Sequence, residues 1–206
     1  SDKSRLVEMV KDRLAEKKAR GGRDGHRPSN GPFRTRSMVE VQEGCSHFCS
    51  YCIVPHVRGR ERSVPARTVL SEVKACEEEG YREIVLTGTR IGTYGEEGGL
   101  EGLLRFILGQ TGIPRIRLSS LQPRELSRSL IDLWQGNERI CRHIHLALQS
   151  GCSATLERMR RDYSLDEYEA AVNMVREAMP DIAVTTDIIV GFPGATEDEF
   201  EESYSF

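Results

Sequence analysis

Five short runs with strand character recur between residues 37 and 191, each followed by a segment long enough for a helix. They are SMVEVQE (37–43), EIVLTG (83–88), RIRLSS (115–120), HIHLALQ (143–149) and IAVTTDIIVG (182–191). Helices are expected at about 67–79, 99–109, 123–135, 153–160 and 165–178, with a further one starting near 197. Two of these begin with a capping box, Ser164 with Glu167 and Thr196 with Glu199. In each, the hydroxyl and the carboxylate satisfy one another's backbone N–H. Strands alternating with helices of this length build βα units on a parallel sheet with right-handed crossovers. An α/β fold with five such units and the start of a sixth is expected.

Period-two alternation sorts each run into two faces. Ile144, Leu146 and Leu148 share one face, and His143, His145, Ala147 and Gln149 share the other. Thr185 and Asp187 oppose Val184, Thr186 and Ile188, while Glu40, Gln42, Thr87, Arg117 and Ser119 oppose apolar neighbours. A flat sheet covered by helices on both sides would be apolar on both faces. A closed barrel packed with its own side chains would be apolar inside. A repeatedly polar face instead predicts a curved, open sheet around a large polar ligand, because unpaired polar groups are costly to bury.

Charge divides the chain. Residues 1–36 carry 11 Lys/Arg and 5 Asp/Glu, whereas the remainder has a surplus of acids and brings the net charge to −3. A basic segment on an acidic body suits a surface that meets phosphates, and a solvated basic helix accounts for it equally well. Leu6, Val10 and Leu14 place an amphipathic helix over residues 4–20, and GGRDGHRPSNGPF (21–33) reads as a linker. No apolar run approaches the roughly 20 residues of a membrane span. The start lacks the basic-then-apolar order of a secretory signal. A cytoplasmic protein with reduced thiols is expected.

In that setting the run GCSHFCSYC (44–52) is informative. Cys45, Cys49 and Cys52 follow C-x3-C-x2-C on the loop after the first strand, and parallel α/β folds bind ligands at the carboxyl ends of their strands. Zinc would need a fourth ligand, for which His47 or His56 is available. An iron–sulfur cube with three thiolates would leave one iron open. Spacing alone leaves both possible. Cys76, Cys141 and Cys152 sit where small buried hydrophobes are expected.

The C-x3-C-x2-C run with Tyr51 before its last cysteine resembles the signature of the radical S-adenosylmethionine enzymes. VEVQEGCSHFCSYCIVPHVRGRERS, EIVLTGTRIGTYG, RLSSLQP, HIHLALQSGC, LERMRRDYSLDEY and TDIIVGFPGATEDEF come in the order seen in the methylthiotransferases. The LTG…YG and RLSSLQP stretches are most similar to the branch acting on N6-threonylcarbamoyladenosine beside the tRNA anticodon. Sister branches act on isopentenyladenosine in tRNA or on an aspartate of a ribosomal protein. A zinc-stapled, non-catalytic RNA-binding module is the alternative from another class.

The resemblance implies a radical-SAM partial (βα) barrel over residues 37–206, truncated at its C-terminal end. Residues 1–36 would then be the helix and linker that follow an N-terminal auxiliary-cluster domain. It implies that Cys45, Cys49 and Cys52 hold a 4Fe-4S cluster whose open iron binds S-adenosylmethionine. That cofactor is cleaved to a 5′-deoxyadenosyl radical, which takes hydrogen from adenine C2 before a methylthio group is installed. Tyr51 matches the aromatic against the adenine, and Thr87 and Gly88 fall where the methionyl amine is contacted. Gln149 and Ser150 are expected toward the ribose or methionyl part, Arg161 on the carboxylate, and Asp187 on the inner face. Gly191, Phe192 and Pro193 form the turn near the adenine. The family commonly reads GFPGET there, and this chain has Ala195 in place of the acid. The tRNA anticodon region and a low-potential electron donor are the implied partners. A second, auxiliary 4Fe-4S cluster belongs to the full-length enzymes.

Overall fold

The computed structural model describes residues 36–96 and 98–206. The helix expected over 4–20 and the linker over 21–33 lie outside the described residues. Strand β1 (Arg36–Glu43) alternates as expected, burying Ser37, Val39 and Val41 and exposing Arg36, Met38 and Glu40. A two-residue strand, β2 (Arg62–Ser63), runs antiparallel along its outer edge. On the other side β1 pairs in parallel with β3 (Glu83–Gly88), and β3 with β4 (Arg115–Leu118). A second parallel set follows, β5 (Ser120–Leu121), β6 (His143–Leu146) and β7 (Ala183–Thr185). Together they make a curled half-barrel.

The helices are α1 (Val54–Val57), α2 (Ala66–Glu78), α3 (Gly99–Gln110), α4 (Arg128–Gln135), α5 (Ser153–Arg158), α6 (Leu165–Ala178) and α7 (Glu197–Ser205). One strand face, carrying Val39, Val41, Ile84, Leu86, Ile116, Leu118, Ile144 and Leu146, forms a common core with Val69, Val73, Leu103, Leu104, Ile107, Ile131 and Trp134 from the helices. The other face carries Glu40, Thr87, Arg117, His143 and His145, which are exposed or half-buried. Both expected capping boxes form, at Ser164/Glu167 and Thr196/Glu199. None of the described helices is long and apolar enough to cross a membrane.

Several boundaries differ from expectation, among them the strand expected over 143–149, which ends at Leu146. The strand expected over 115–120 breaks at Ser119, whose N–H donates to Leu86 O (3.0 Å), and the chain passes there from one strand set to the other. The helix expected over 123–135 is a 3-10 turn (Pro123–Glu125) and then α4, which starts where the Ser127 hydroxyl accepts the Leu130 N–H (3.1 Å). The strand expected over 182–191 ends at Thr185. Among the described residues it pairs with β6 only, and beyond Thr185 one further bridge joins Gln149 to Ile188.

At the amino ends of the strands, Glu83 gathers three arginines. Arg115 Nε (2.9 Å) and Arg117 Nε (2.8 Å) donate to its carboxylate, and Arg36 Nε lies at 3.6 Å. Burial acts to raise the Glu83 pKa, but the hydrogen bonds from Arg117 and Arg115 outweigh it and hold the group below its ordinary 4.5. A depressed carboxylate stabilises the fold fully above the ordinary value and loses that contribution as pH falls through the lower, folded value. Glu83→Gln is therefore expected to cost about 1.5 kcal/mol at neutral pH. The cost should shrink well below pH 4.5, as read from urea unfolding across that range.

Candidate functional site

The loop leaving β1 is set by glycine geometry and a buried amide. Gly44 has φ 78°, and a side chain there would collide with the Arg60 carbonyl, so the turn requires glycine. Gln42 is fully buried; its Nε2 donates to Gly44 O (2.8 Å) and Glu43 O (3.1 Å), and its Oε1 accepts the Arg90 N–H (2.8 Å). Cys45 N–H donates to Gly59 O (2.9 Å), and Ser46 donates from N–H and hydroxyl to Glu61. Farther along, Ser50 donates from N–H to Met159 O (3.1 Å) and from its hydroxyl to Arg158 O (2.8 Å). The loop is thus pinned to residues 59–61 on one side and to the end of α5 on the other. Cys45 and Cys49 are buried and Cys52 is half-buried.

Arg161 reaches this loop from the corner after α5. Its Nη1 donates to Cys49 Sγ (3.3 Å) and Tyr51 OH (3.4 Å), and its guanidinium carbon lies 4.8 Å from the centre of the Tyr163 ring. Tyr51 meets Phe192 edge-on at 6.4 Å between centroids. The structure therefore brings Cys49, Tyr51, Arg161 and Phe192 into one contiguous set. Gly191 turns the chain at φ 72°, and Pro193 follows Phe192 in the same turn.

The remaining expected residues are placed differently. Thr87 Oγ1 donates to Val39 O (3.4 Å), and a side chain at Gly88 would sit 2.6 Å from Gln42 O. Both therefore support the end of β1 from the neighbouring strand. Gln149, at φ 67°, donates its N–H to Asp187 O (2.8 Å) and accepts from Ile189 N–H (2.8 Å). Asp187 presents its carboxylate 3.4 Å from His145 Nε2 on the concave face and is largely exposed. Ser150 is buried, with its hydroxyl 3.0 Å from that of Ser203 on α7 and accepting the Cys152 N–H. Its side chain thus contacts α7. A cavity of about 220 Å³ lies beside it, lined by Ile188, Val190, Phe192, Phe200 and Tyr204 among others.

Sequence reasoning missed a charged group behind the loop. Buried Arg90 donates its Nε to Glu125, and its Nη2 lies 3.6 Å from Asp162 Oδ2. That same oxygen is 3.4 Å from His47 Nε2. The only signal in the sequence is position: Arg90 stands two residues beyond β3, at the sheet edge where ligands collect.

The donor set bears on the two metal readings. Among the described residues no three or more His, Cys, Asp or Glu gather around a point fit for one ion. His47 is engaged by Asp162, and His56 packs on Phe48 at 5.5 Å. Zinc held by the three cysteines would still need a fourth ligand. In an iron–sulfur cube each iron takes its own thiolate, so three cysteines on one pinned loop, with N–H donors on Cys45 and Cys49, fit that group.

Comparison with known proteins agrees with this geometry. Residues 39–206 match the sequence profile of the Radical SAM superfamily. A tRNA-2-methylthio-N(6)-dimethylallyladenosine synthase from Syntrophotalea carbinolica is 46% identical over 170 residues, 81% of this chain and 39% of its own length. The threonylcarbamoyladenosine tRNA methylthiotransferase MtaB of Aquifex aeolicus is 42% identical over 173 residues, 83% of this chain and 42% of its own. The chain thus spans about two-fifths of the length of these relatives. Among solved structures, the radical S-adenosylmethionine methyltransferase TsrM from Kitasatospora setae shares the fold, with a TM-score of 0.68 at 20% identity. The match covers 82% of this chain and 33% of that one.

Proposed function

This chain belongs to the radical SAM superfamily, and on that premise we propose that it is the catalytic core of a tRNA methylthiotransferase. The observation that carries the reading is the pinned loop of Cys45, Cys49 and Cys52 at the carboxyl end of β1, with Arg161 donating to Cys49 and Tyr51. The names of its sequence relatives support the substrate class. In this reading the three cysteines hold a 4Fe-4S cluster with one open iron, where S-adenosylmethionine binds. When bound, cluster and cofactor supply a one-electron cleavage of a carbon–sulfur bond.

The chain's own residues bind and orient. Tyr51 and Phe192 offer perpendicular aromatic faces for the adenine. Arg161 supplies a planar donor for the cofactor carboxylate, and Asp187 an acceptor on the open face. Gln149, Thr87 and Gly88 hold the strand ends that border them. The half-barrel excludes water from the reacting atoms once substrate covers it. The tRNA anticodon region is the substrate and a low-potential carrier the electron source. The auxiliary cluster for sulfur insertion belongs to the full-length protein.

The substrate proposed is adenine C2 of N6-threonylcarbamoyladenosine, on the strength of LTGTRIGTYG and RLSSLQP. The 46% identity to a dimethylallyladenosine enzyme favours a second reading, the isopentenylated nucleoside. Mass spectrometry of tRNA nucleosides from cells lacking the gene separates them. Loss of the methylthio group from threonylcarbamoyladenosine is expected. Its loss from isopentenyladenosine installs the second reading, and no change in either overturns both.

A further inference from the structure

Resting on the cluster assignment above, we propose that Arg161 sets the reduction potential of the cluster by donating its Nη1–H to the Cys49 sulfur. The contact is 3.3 Å, and several elements hold the guanidinium there. The Tyr163 hydroxyl, with one proton to donate, lies 2.7 Å from Ala147 O and 2.6 Å from Leu148 O, fixing its ring to the segment just after β6. The Arg161 guanidinium lies over that ring, where the cation is favoured. Its backbone is fixed as well: Arg161 N–H donates to Leu156 O (3.0 Å), and Arg160 before it takes the left-handed conformation at φ 56°. A non-glycine residue in that conformation is held by its surroundings. Here Ser50 clamps the Arg158 and Met159 carbonyls, and Asp162 faces Arg90 and His47. The sulfur, the arginine and the tyrosine form one mount joining the cysteine loop to the sheet.

The consequence follows from charge. One-electron reduction makes a thiolate-ligated cluster more negative, and an N–H donor and a positive charge at a ligand sulfur stabilise the reduced form. Arg161 therefore raises the potential and brings the cluster within reach of its electron donor. This differs from a role confined to the cofactor's carboxylate, since the sulfur contact needs no cofactor. Arg161 acts through Cys49 and is in this respect a positioning residue.

The test is a potentiometric titration of the full-length, anaerobically loaded enzyme, followed by electron paramagnetic resonance without S-adenosylmethionine. The signal of this cluster is the one that Cys49→Ala removes. Arg161→Gln is expected to move the midpoint to more negative values at unchanged iron content, and Arg161→Lys to move it less in the same direction. An unmoved or more positive midpoint in either cluster-bearing variant overturns the proposal. So does loss of the cluster in both variants, because a tuning contact is not a ligand. Weaker S-adenosylmethionine binding with an unmoved midpoint assigns Arg161 to the carboxylate alone. A wild-type enzyme without iron instead overturns the functional reading itself.

Discussion

Cys49→Ala is expected to give a folded protein that has lost nearly all of its cluster iron at this site. The loop's backbone is held by bonds that do not involve the Cys49 sulfur: Cys45 to Gly59, Ser46 to Glu61, Ser50 to Met159, and Cys52 N–H to Cys49 O (3.0 Å). The apo fold should therefore survive with an unchanged circular dichroism spectrum. With two thiolates left, a cube would have two irons without a protein ligand, and such sites are normally closed by cysteine. The remaining cysteines supply the control. Cys76 packs on the helix side of the sheet at 0% exposure, Cys141 at 4% and Cys152 at 1%. Alanine at any of these three is expected to keep the iron and to cost about 1 kcal/mol, the worth of one small buried group. Iron quantitation beside urea unfolding separates the two classes. Retained iron in Cys49→Ala, or lost iron in Cys76→Ala, would sink the assignment.

The sulfur loop stands out because its information is local: three cysteines in eight positions after a strand mark a candidate site before any fold is known. The strand faces were legible for a similar reason. Alternation puts Ile144 and Leu146 in the core and His143 and His145 on the open face without reference to neighbours. What stayed hidden depends on partners far along the chain. Gln42 was read as one more polar residue facing the ligand, yet it is fully buried, and its amide joins Gly44 to Arg90, 48 residues away. The contact of the Ser150 hydroxyl with Ser203, 53 residues on, could not be read from the sequence either. The break at Ser119 likewise has no local cause. RIRLSS has strand character throughout, and only the passage from one strand set to the other interrupts it.

Trp134→Ala is expected to be the most destabilising single change in the core, at about 3–5 kcal/mol. Trp134 lies on α4 at 1% exposure, and its indole N–H donates to Cys141 O (2.9 Å). The acceptor lies in the segment that joins the two strand sets. Ile116 N–H donates to Arg139 O (2.7 Å), and Cys141 N–H donates to Ile116 O (2.8 Å), carrying the pairing from β4 toward β6. Alanine there opens a large cavity against α4 and also leaves the carbonyl without its buried donor, two costs that add. Trp134→Phe separates them, since the ring still fills most of the space; a cost of about 1–2 kcal/mol is expected from the lost hydrogen bond and residual void. Trp134 is the chain's single tryptophan, so unfolding must be followed by circular dichroism and not by its fluorescence. The effect should reach the site. The Ala147 and Leu148 carbonyls just beyond β6 anchor Tyr163, and Tyr163 carries Arg161. A loosened β6 should therefore weaken cluster retention at temperatures where the fold is still mostly intact. Iron loss that tracks global unfolding alone would show that the mount on β6 is not mechanically coupled to the indole behind it.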